Sequence, residues 1–196
     1  MKKRLWIISL TMAALGLFGS FAWADSPSDF VRGILDQVMA IQNNPALTGP
    51  ARAGEIRRVI QKSFDFPLMA KNSLGPVYDR LNPAQRRDFV DTFGYLFQDS
   101  YTRMVLNFLK QETIRYHQEH RENGQARVNT TIVRANETIP VDYLMRRQQS
   151  GWLLYDVNVD GVSILDNYKS QFALVIRSQS FESLLQKMKT QLRAVQ

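Results

Sequence analysis

The hydrophobic period of this 196-residue chain changes from helical to strand-like midway and back again near its end. Up to Gln111 apolar residues recur at steps of three and four, and from there to Val159 at steps of two. Four strands are predicted in the second regime, over residues 113–120, 126–133, 138–147 and 152–159. Asn123-Gly124 is a strong hairpin signal between the first two, and Asn136-Glu137 and Ser150-Gly151 serve the next turns. Connections this short make neighbouring strands antiparallel, so the sequence predicts a four-stranded meander. In the third strand Ile139, Val141, Tyr143 and Met145 share one face, opposite Asp142 and Arg146. In the fourth, Tyr155, Val157 and Val159 alternate with Asp156 and Asn158. One face is expected to be buried and the other wet.

Helices precede and follow this sheet. Ser26-Pro27 opens the first, with Phe30, Ile34, Val38 and Ile41 at helical spacing, and Asn44-Pro45 closes it. A second carries Ile56, Val59, Ile60 and Phe64. Asp65 caps a short third helix running from about Pro67 to Gly75. Asn82-Pro83 is a sharp start signal for a long helix reaching about Lys110. Its stripe is strongly aromatic: Phe89, Phe93, Leu96, Phe97, Tyr101, Val105 and Phe108. After the sheet, Asp160-Gly161 turns the chain and Ser163 with Asp166 resembles a capping box. Two last helices carry Tyr168, Phe172, Val175 and Ile176, then Phe181, Leu184, Leu185, Met188 and Leu192. The fold class predicted is α+β, a twisted four-stranded antiparallel meander with helices packed on one face. Such a sheet can curl into a cone with an apolar pocket at its mouth.

The first 24 residues have a separate purpose. Lys2, Lys3 and Arg4 precede an apolar run from Leu5 to Phe21, and Ala22-Trp23-Ala24 ends it with small residues on both sides of a cut. Residues 1–24 are therefore expected to be a cleavable signal peptide, and 25–196 a single exported, periplasmic domain. The mature chain would keep 22 basic residues against 18 acidic ones, a net charge of +4, spread along its length. No cysteine is present, so disulfides, thiolate metal sites and a lipid-anchored N-terminal cysteine are excluded.

Catalytic chemistry finds little support. His117 and His120 lie on the first strand, and a separation of three points them to opposite faces, unsuited to one metal ion. Asp142 and Asp156 fall on the predicted polar face, a poor place for a raised pKa. No phosphate-binding glycine loop, nucleophile elbow or HExxH occurs. The expectation is of no enzyme, no cofactor, no metal and no nucleic-acid partner. The surplus of large apolar residues suits instead a pocket that takes an apolar ligand by burial.

A resemblance adds to this reading. Phe64-Asp65-Phe66 with Leu74-Gly75, then Leu81-Asn82-Pro83-Ala84-Gln85-Arg86-Arg87 with Phe89 and Phe93, resembles the MlaC family. Trp152-Leu153-Leu154-Tyr155-Asp156-Val157, Asp160-Gly161-Val162-Ser163-Ile164 and Asn167-Tyr168-Lys169-Ser170-Gln171-Phe172 are similar to its later segments, in the same order. Lys169 replaces the usual arginine, and Ser178-Gln179-Ser180 lacks a glycine often found there. The resemblance implies a periplasmic phospholipid carrier without enzymatic activity. Its partners would be an outer-membrane lipoprotein–porin complex and an inner-membrane ABC transporter complex containing an MCE-domain protein. Facing and resemblance together suggest a lipid pocket lined by Phe93, Phe97, Tyr101 and Val105 from the long helix and Tyr143, Met145, Val157 and Val159 from the sheet. Val162, Tyr168 and Phe172 would guard its mouth, and headgroup specificity is expected to be low. The segments 44–50 and 76–83 are candidate hinges. A carrier of another apolar ligand, such as a hopanoid or other isoprenoid lipid, remains the alternative, and a small periplasmic enzyme using Asp142 or His117 a third.

Overall fold

The structure, a computed structural model, describes residues 26–194, so the expected signal peptide lies outside the described residues. Helices α1 (Pro27–Gln42), α2 (Gly49–Ser63), α3 (Phe66–Leu74), α4 (Pro76–Arg80) and α5 (Pro83–Phe108) lead into strands β1 (Thr113–Glu122), β2 (Gln125–Val133), β3 (Thr138–Gln148), β4 (Gly151–Val159) and β5 (Val162–Ser163). Helices α6 (Ile164–Ser178) and α7 (Phe181–Arg193) complete the chain. Short α4 occupies the segment read from sequence as a hinge loop. Gly75, at φ +55°, makes the corner between α3 and α4 that a side chain would resist.

The sheet is open and antiparallel in the order β1-β2-β3-β4-β5. It has five strands rather than four. Asp160 (φ 51°) and Gly161 (φ 79°) form a two-residue hairpin turn of the kind made by Asn123 (φ 48°) and Gly124 (φ 76°). The strand it adds pairs only Asn158 with Ser163 and Val159 with Val162, too short a run to show a period.

Two bulges overturn parts of the facing pattern expected from strict alternation. In β4 the register passes from Leu144↔Asp156 to Met145↔Leu154, leaving Tyr155 as an extra residue. Trp152, Leu154 and Val157 are thereby buried together, and Tyr155 leaves the apolar face that sequence alternation assigned to it. In β1 the register passes from Tyr116↔Thr130 to Glu119↔Val128. His117 then bonds Thr131 (2.7 Å) and His120 sits opposite Arg127, so both histidines point to the polar face rather than to opposite ones.

Local chemistry fixes the long helix at both ends. Asn82 Oδ1 accepts from Gln85 N–H (2.9 Å) while Gln85 Oε1 accepts from Asn82 N–H (3.0 Å), a complete capping box. At the other end the Gln42 amide of α1 donates to the carbonyls of Val105, Leu106 and Leu109. Along α5, Phe89, Phe93, Phe97 and Tyr101 form a ladder of rings 6.1, 6.1 and 5.3 Å apart. Phe64 and Phe66 close on it from one side, and Tyr168, Phe172 and Phe181 from the other.

The motifs behind the family resemblance prove to be braces. Asp65, almost fully buried, caps α3 through Leu68 N–H (3.1 Å) and accepts from Arg146 and from Gln148 (3.0 Å) on β3. Its own N–H donates to Leu154 O (2.7 Å), tying α3 to β4. Asp156 accepts from Ser163 Oγ (2.6 Å) and from the N–H groups of Val157 (2.8 Å) and Leu165 (3.0 Å), anchoring the start of α6. Burial raises the Asp156 carboxyl above its usual range despite these donors. It lies under β5 and α6 rather than on an open polar face, and opposite Leu144 rather than Asp142.

Candidate functional site

The second half of α5 passes over the sheet without filling the space beneath it. Tyr101, Met104, Val105 and Phe108 look down on Ile132 of β2, on Ile139, Val141 and Tyr143 of β3, and on Val157 and Val159 of β4. Mostly short β-branched side chains on the strands, Tyr143 excepted, oppose mostly long ones on the helix, and an apolar cleft of about 100 Å³ remains between them. Burial pushes the Tyr143 phenol well above its ordinary range, with nearby Tyr101 and Tyr116 adding to the shift. Burial, then the nearby Asp156 carboxylate, does the same to Tyr101. Both hydroxyls stay protonated and neutral inside the cleft.

A second depression, about 380 Å³, adjoins the first. Leu96, Phe97, Tyr168, Phe172 and Met188 line it, with Ser100, Asn167, Gln171 and Gln191 at its polar side. Tyr101 and Met104 border both spaces, so these two side chains are the partition between them.

The third feature is polar and larger, about 900 Å³. It lies where α5 ends and β1 begins, beside Gln42, Arg52, Lys110, Glu112 and Arg134. Arg134 also borders the apolar cleft. Its Nη2 donates to Phe108 O (2.7 Å), and its Nη1 pairs with Glu137 (3.2 Å). Its Nε lies 3.4 Å from Glu112, and the guanidinium stands 5.2 Å from the Phe108 ring centre. One side chain thus ties the end of α5 to the turn between β2 and β3, at the junction of apolar and polar space.

The residues suggested from sequence are distributed among these features. Tyr101, Val105, Tyr143, Val157 and Val159 line the apolar cleft, and Phe97, Tyr101, Tyr168 and Phe172 line the adjoining depression. Phe93 and Met145 are completely buried in the core and line neither, while Val162 is 62% exposed on β5. Met104, Phe108, Ile132, Ile139 and Val141 were absent from that selection. Facing alone would have found the last two, which share β3's apolar face with Tyr143. Nothing in the sequence singles out Arg134, whose position depends on the meeting of α5 with a turn 26 residues later.

A single open sheet roofed by helices, with an apolar cleft under the longest of them, defines an α+β class whose interior is not completely filled. The profile of the family described as "MlaC protein" matches residues 32–190, and the chain belongs to that family. It is similar to the intermembrane phospholipid transport system binding protein MlaC of Haemophilus influenzae, at 26% identity over 120 residues. That match covers 59% of this chain and 56% of the relative, so it spans little more than half the relative's length. Its fold is that of the Ralstonia solanacearum phospholipid-binding protein, solved in complex with a phospholipid. The TM-score is 0.72 at 23% identity, covering 84% of this chain and 97% of that one. Among the described residues, no helix is long and apolar enough to cross a membrane.

Proposed function

We propose that this protein is a periplasmic phospholipid carrier that holds acyl chain between α5 and the sheet and performs no catalysis. The carrying observation is the apolar cleft under α5, opening beside a polar groove, in a chain of the MlaC family. An amphiphile needs that juxtaposition. Burying one methylene is worth roughly 0.8 kcal/mol, so a long acyl chain represents on the order of 10 kcal/mol that a surface groove would largely forfeit.

The cleft as it stands, about 100 Å³, is smaller than the roughly 300–1,000 Å³ usual for ligand sites. Loading therefore requires it to widen. Displacement of Tyr101 and Met104 would merge it with the 380 Å³ depression under α6, bringing Phe97, Tyr168 and Phe172 into the same lining. Phe93, Met145 and Val162 would then support the pocket from behind or stand at its rim. In this reading the exported domain, residues 25–196, moves lipid between an outer-membrane lipoprotein–porin complex and an inner-membrane ABC transporter complex with its MCE-domain protein. That traffic would maintain outer-membrane lipid asymmetry. A partner must open the cleft, since spontaneous loss of the chain into water would be very slow.

Native mass spectrometry of the protein purified from its periplasm tests this directly, with co-purified phospholipid as the expected result. Protein that is empty, and that takes up nothing from phospholipid vesicles, would sink the proposal. An isoprenoid lipid in place of phospholipid would keep the cleft and change the cargo.

A further inference from the structure

The polar groove at the end of α5 is not electrically neutral. Arg52, Lys110 and Arg134 border it, against the one carboxylate of Glu112, with Glu137 reaching Arg134 from the neighbouring turn. Two of the cations hold local backbone: Arg52 donates to the carbonyls of Asn44 and Leu47 (3.0 Å each), and Arg134 to that of Phe108. Yet the buried Nε–H of Arg52 makes no hydrogen bond to protein, and the buried Nε–H of Arg134 has only a long ion-pair contact to Glu112 (3.4 Å) without hydrogen-bond geometry. Buried donors are normally satisfied, because leaving one unpaired costs about 1–3 kcal/mol. One unpaired and one weakly paired donor border the same groove, and that groove meets the apolar cleft at Arg134.

Guanidinium and ammonium groups facing a common space suit a phosphodiester, which accepts hydrogen bonds and carries negative charge. We propose that this groove receives the phosphate headgroup of the lipid whose acyl chain enters the cleft. Its excess of cations favours headgroups of net negative charge over zwitterionic ones. The inference rests on the carrier reading. It replaces the low headgroup specificity expected from sequence, because a zwitterionic headgroup would bring its own ammonium against Arg52, Lys110 and Arg134. A phosphate ligand would also compete with Glu112 and Glu137 for Arg134, loosening its hold on the end of α5 as lipid enters.

The test is an internal competition. Delipidated protein is equilibrated with vesicles of equal parts phosphatidylglycerol and phosphatidylcholine, recovered, and its two bound lipids are counted by mass spectrometry. Contacts of partly exposed charges predict about fivefold enrichment of phosphatidylglycerol, collapsing in molar salt. Arg134→Gln and, separately, Lys110→Gln should each bring the ratio toward one. Lys110 is exposed, so its variant decides the matter should Arg134→Gln fail to fold. Lipid bound without enrichment, or enrichment unchanged in the variants, overturns the headgroup site and leaves the carrier reading standing. Protein empty after every incubation overturns both. Calorimetric titration with inorganic phosphate separates the remaining source of the same chemistry: tight binding without lipid would make the groove a free-phosphate site and overturn the headgroup assignment.

Discussion

The two halves of α5 carry one continuous apolar stripe yet end in different environments. In the first half Phe89, Phe93 and Phe97 meet other rings, from Phe64 and Phe66 on one side and Tyr168, Phe172 and Phe181 on the other, and are at most 1% exposed. In the second half Tyr101, Met104, Val105 and Phe108 meet mainly isoleucines and valines on strands, with Tyr143 the one ring among them, and a cleft stays open. Ring against ring fills space, because both partners are long and their edges interlock. A helix crossing a twisted sheet stays close to it only over part of its length, and short β-branched side chains cannot bridge the rest. Cleft and core thus differ in what stands opposite, more than in the helix that makes them.

Truncation should separate the halves most strongly. Phe93→Ala in the filled half should lower unfolding free energy by about 3–5 kcal/mol in a denaturant titration, because it opens a cavity among close-packed rings. Enlarging a residue beside the cleft should do the opposite of harm to packing. Val159→Phe should change stability by less than about 1.5 kcal/mol while reducing lipid occupancy severalfold by native mass spectrometry. A cost above about 3 kcal/mol would show that this half is as full as the other.

The ends of α5 offer a finer contrast. Asn82→Ala removes the capping box and should cost about 1 kcal/mol, felt as faster hydrogen exchange in the first turn. Gln42→Ala removes a donor from three carbonyls at the far end and should cost about 1 kcal/mol, with faster exchange confined to the turn above the cleft. Equal effects along the whole helix would remove the distinction between its halves.

A pH-dependent contact lies outside both halves. Glu119 on β1 accepts from Ser26 Oγ (3.0 Å) and Ser28 N–H (2.7 Å), holding the start of α1. Burial raises its carboxyl, but donation from Ser28, Arg121 and Ser26 outweighs this and sets its pKa at about 2, against 4.5 ordinarily. A depressed folded pKa stabilises fully above pH 4.5 and is lost as pH falls toward 2. In Glu119→Gln the melting temperature should depend less on pH across that interval. An unchanged acid profile would show that the contact does not couple α1 to folding.

Much of this fold was written in local sequence. Proline after Ser26 and Asn82, Gly75, Asn123-Gly124 and the change of period at Gln111 act within a few residues of themselves. Apart from short α4, the helices and the four longer strands accordingly fall where those signals put them. Asp65 and Asp156 show the limit of such reading. Their motifs stood out, but only the fold reveals that each carboxylate braces a helix start against the sheet.

What the tertiary structure alone decided is relational. The extra residue at Tyr155 reverses a strand's facing, and the bulge in β1 puts both histidines on one side, because an inserted residue flips parity without altering composition. The cleft depends on which residues oppose the second half of α5, and the cationic groove on Arg52, Lys110 and Arg134 converging from three separate segments. Sequence determined the longer elements and the apolar surplus, since those depend on short-range sterics and periodicity, but not short α4 and β5. Where that surplus leaves a space, and which charges border it, depends on long-range packing that no single segment encodes.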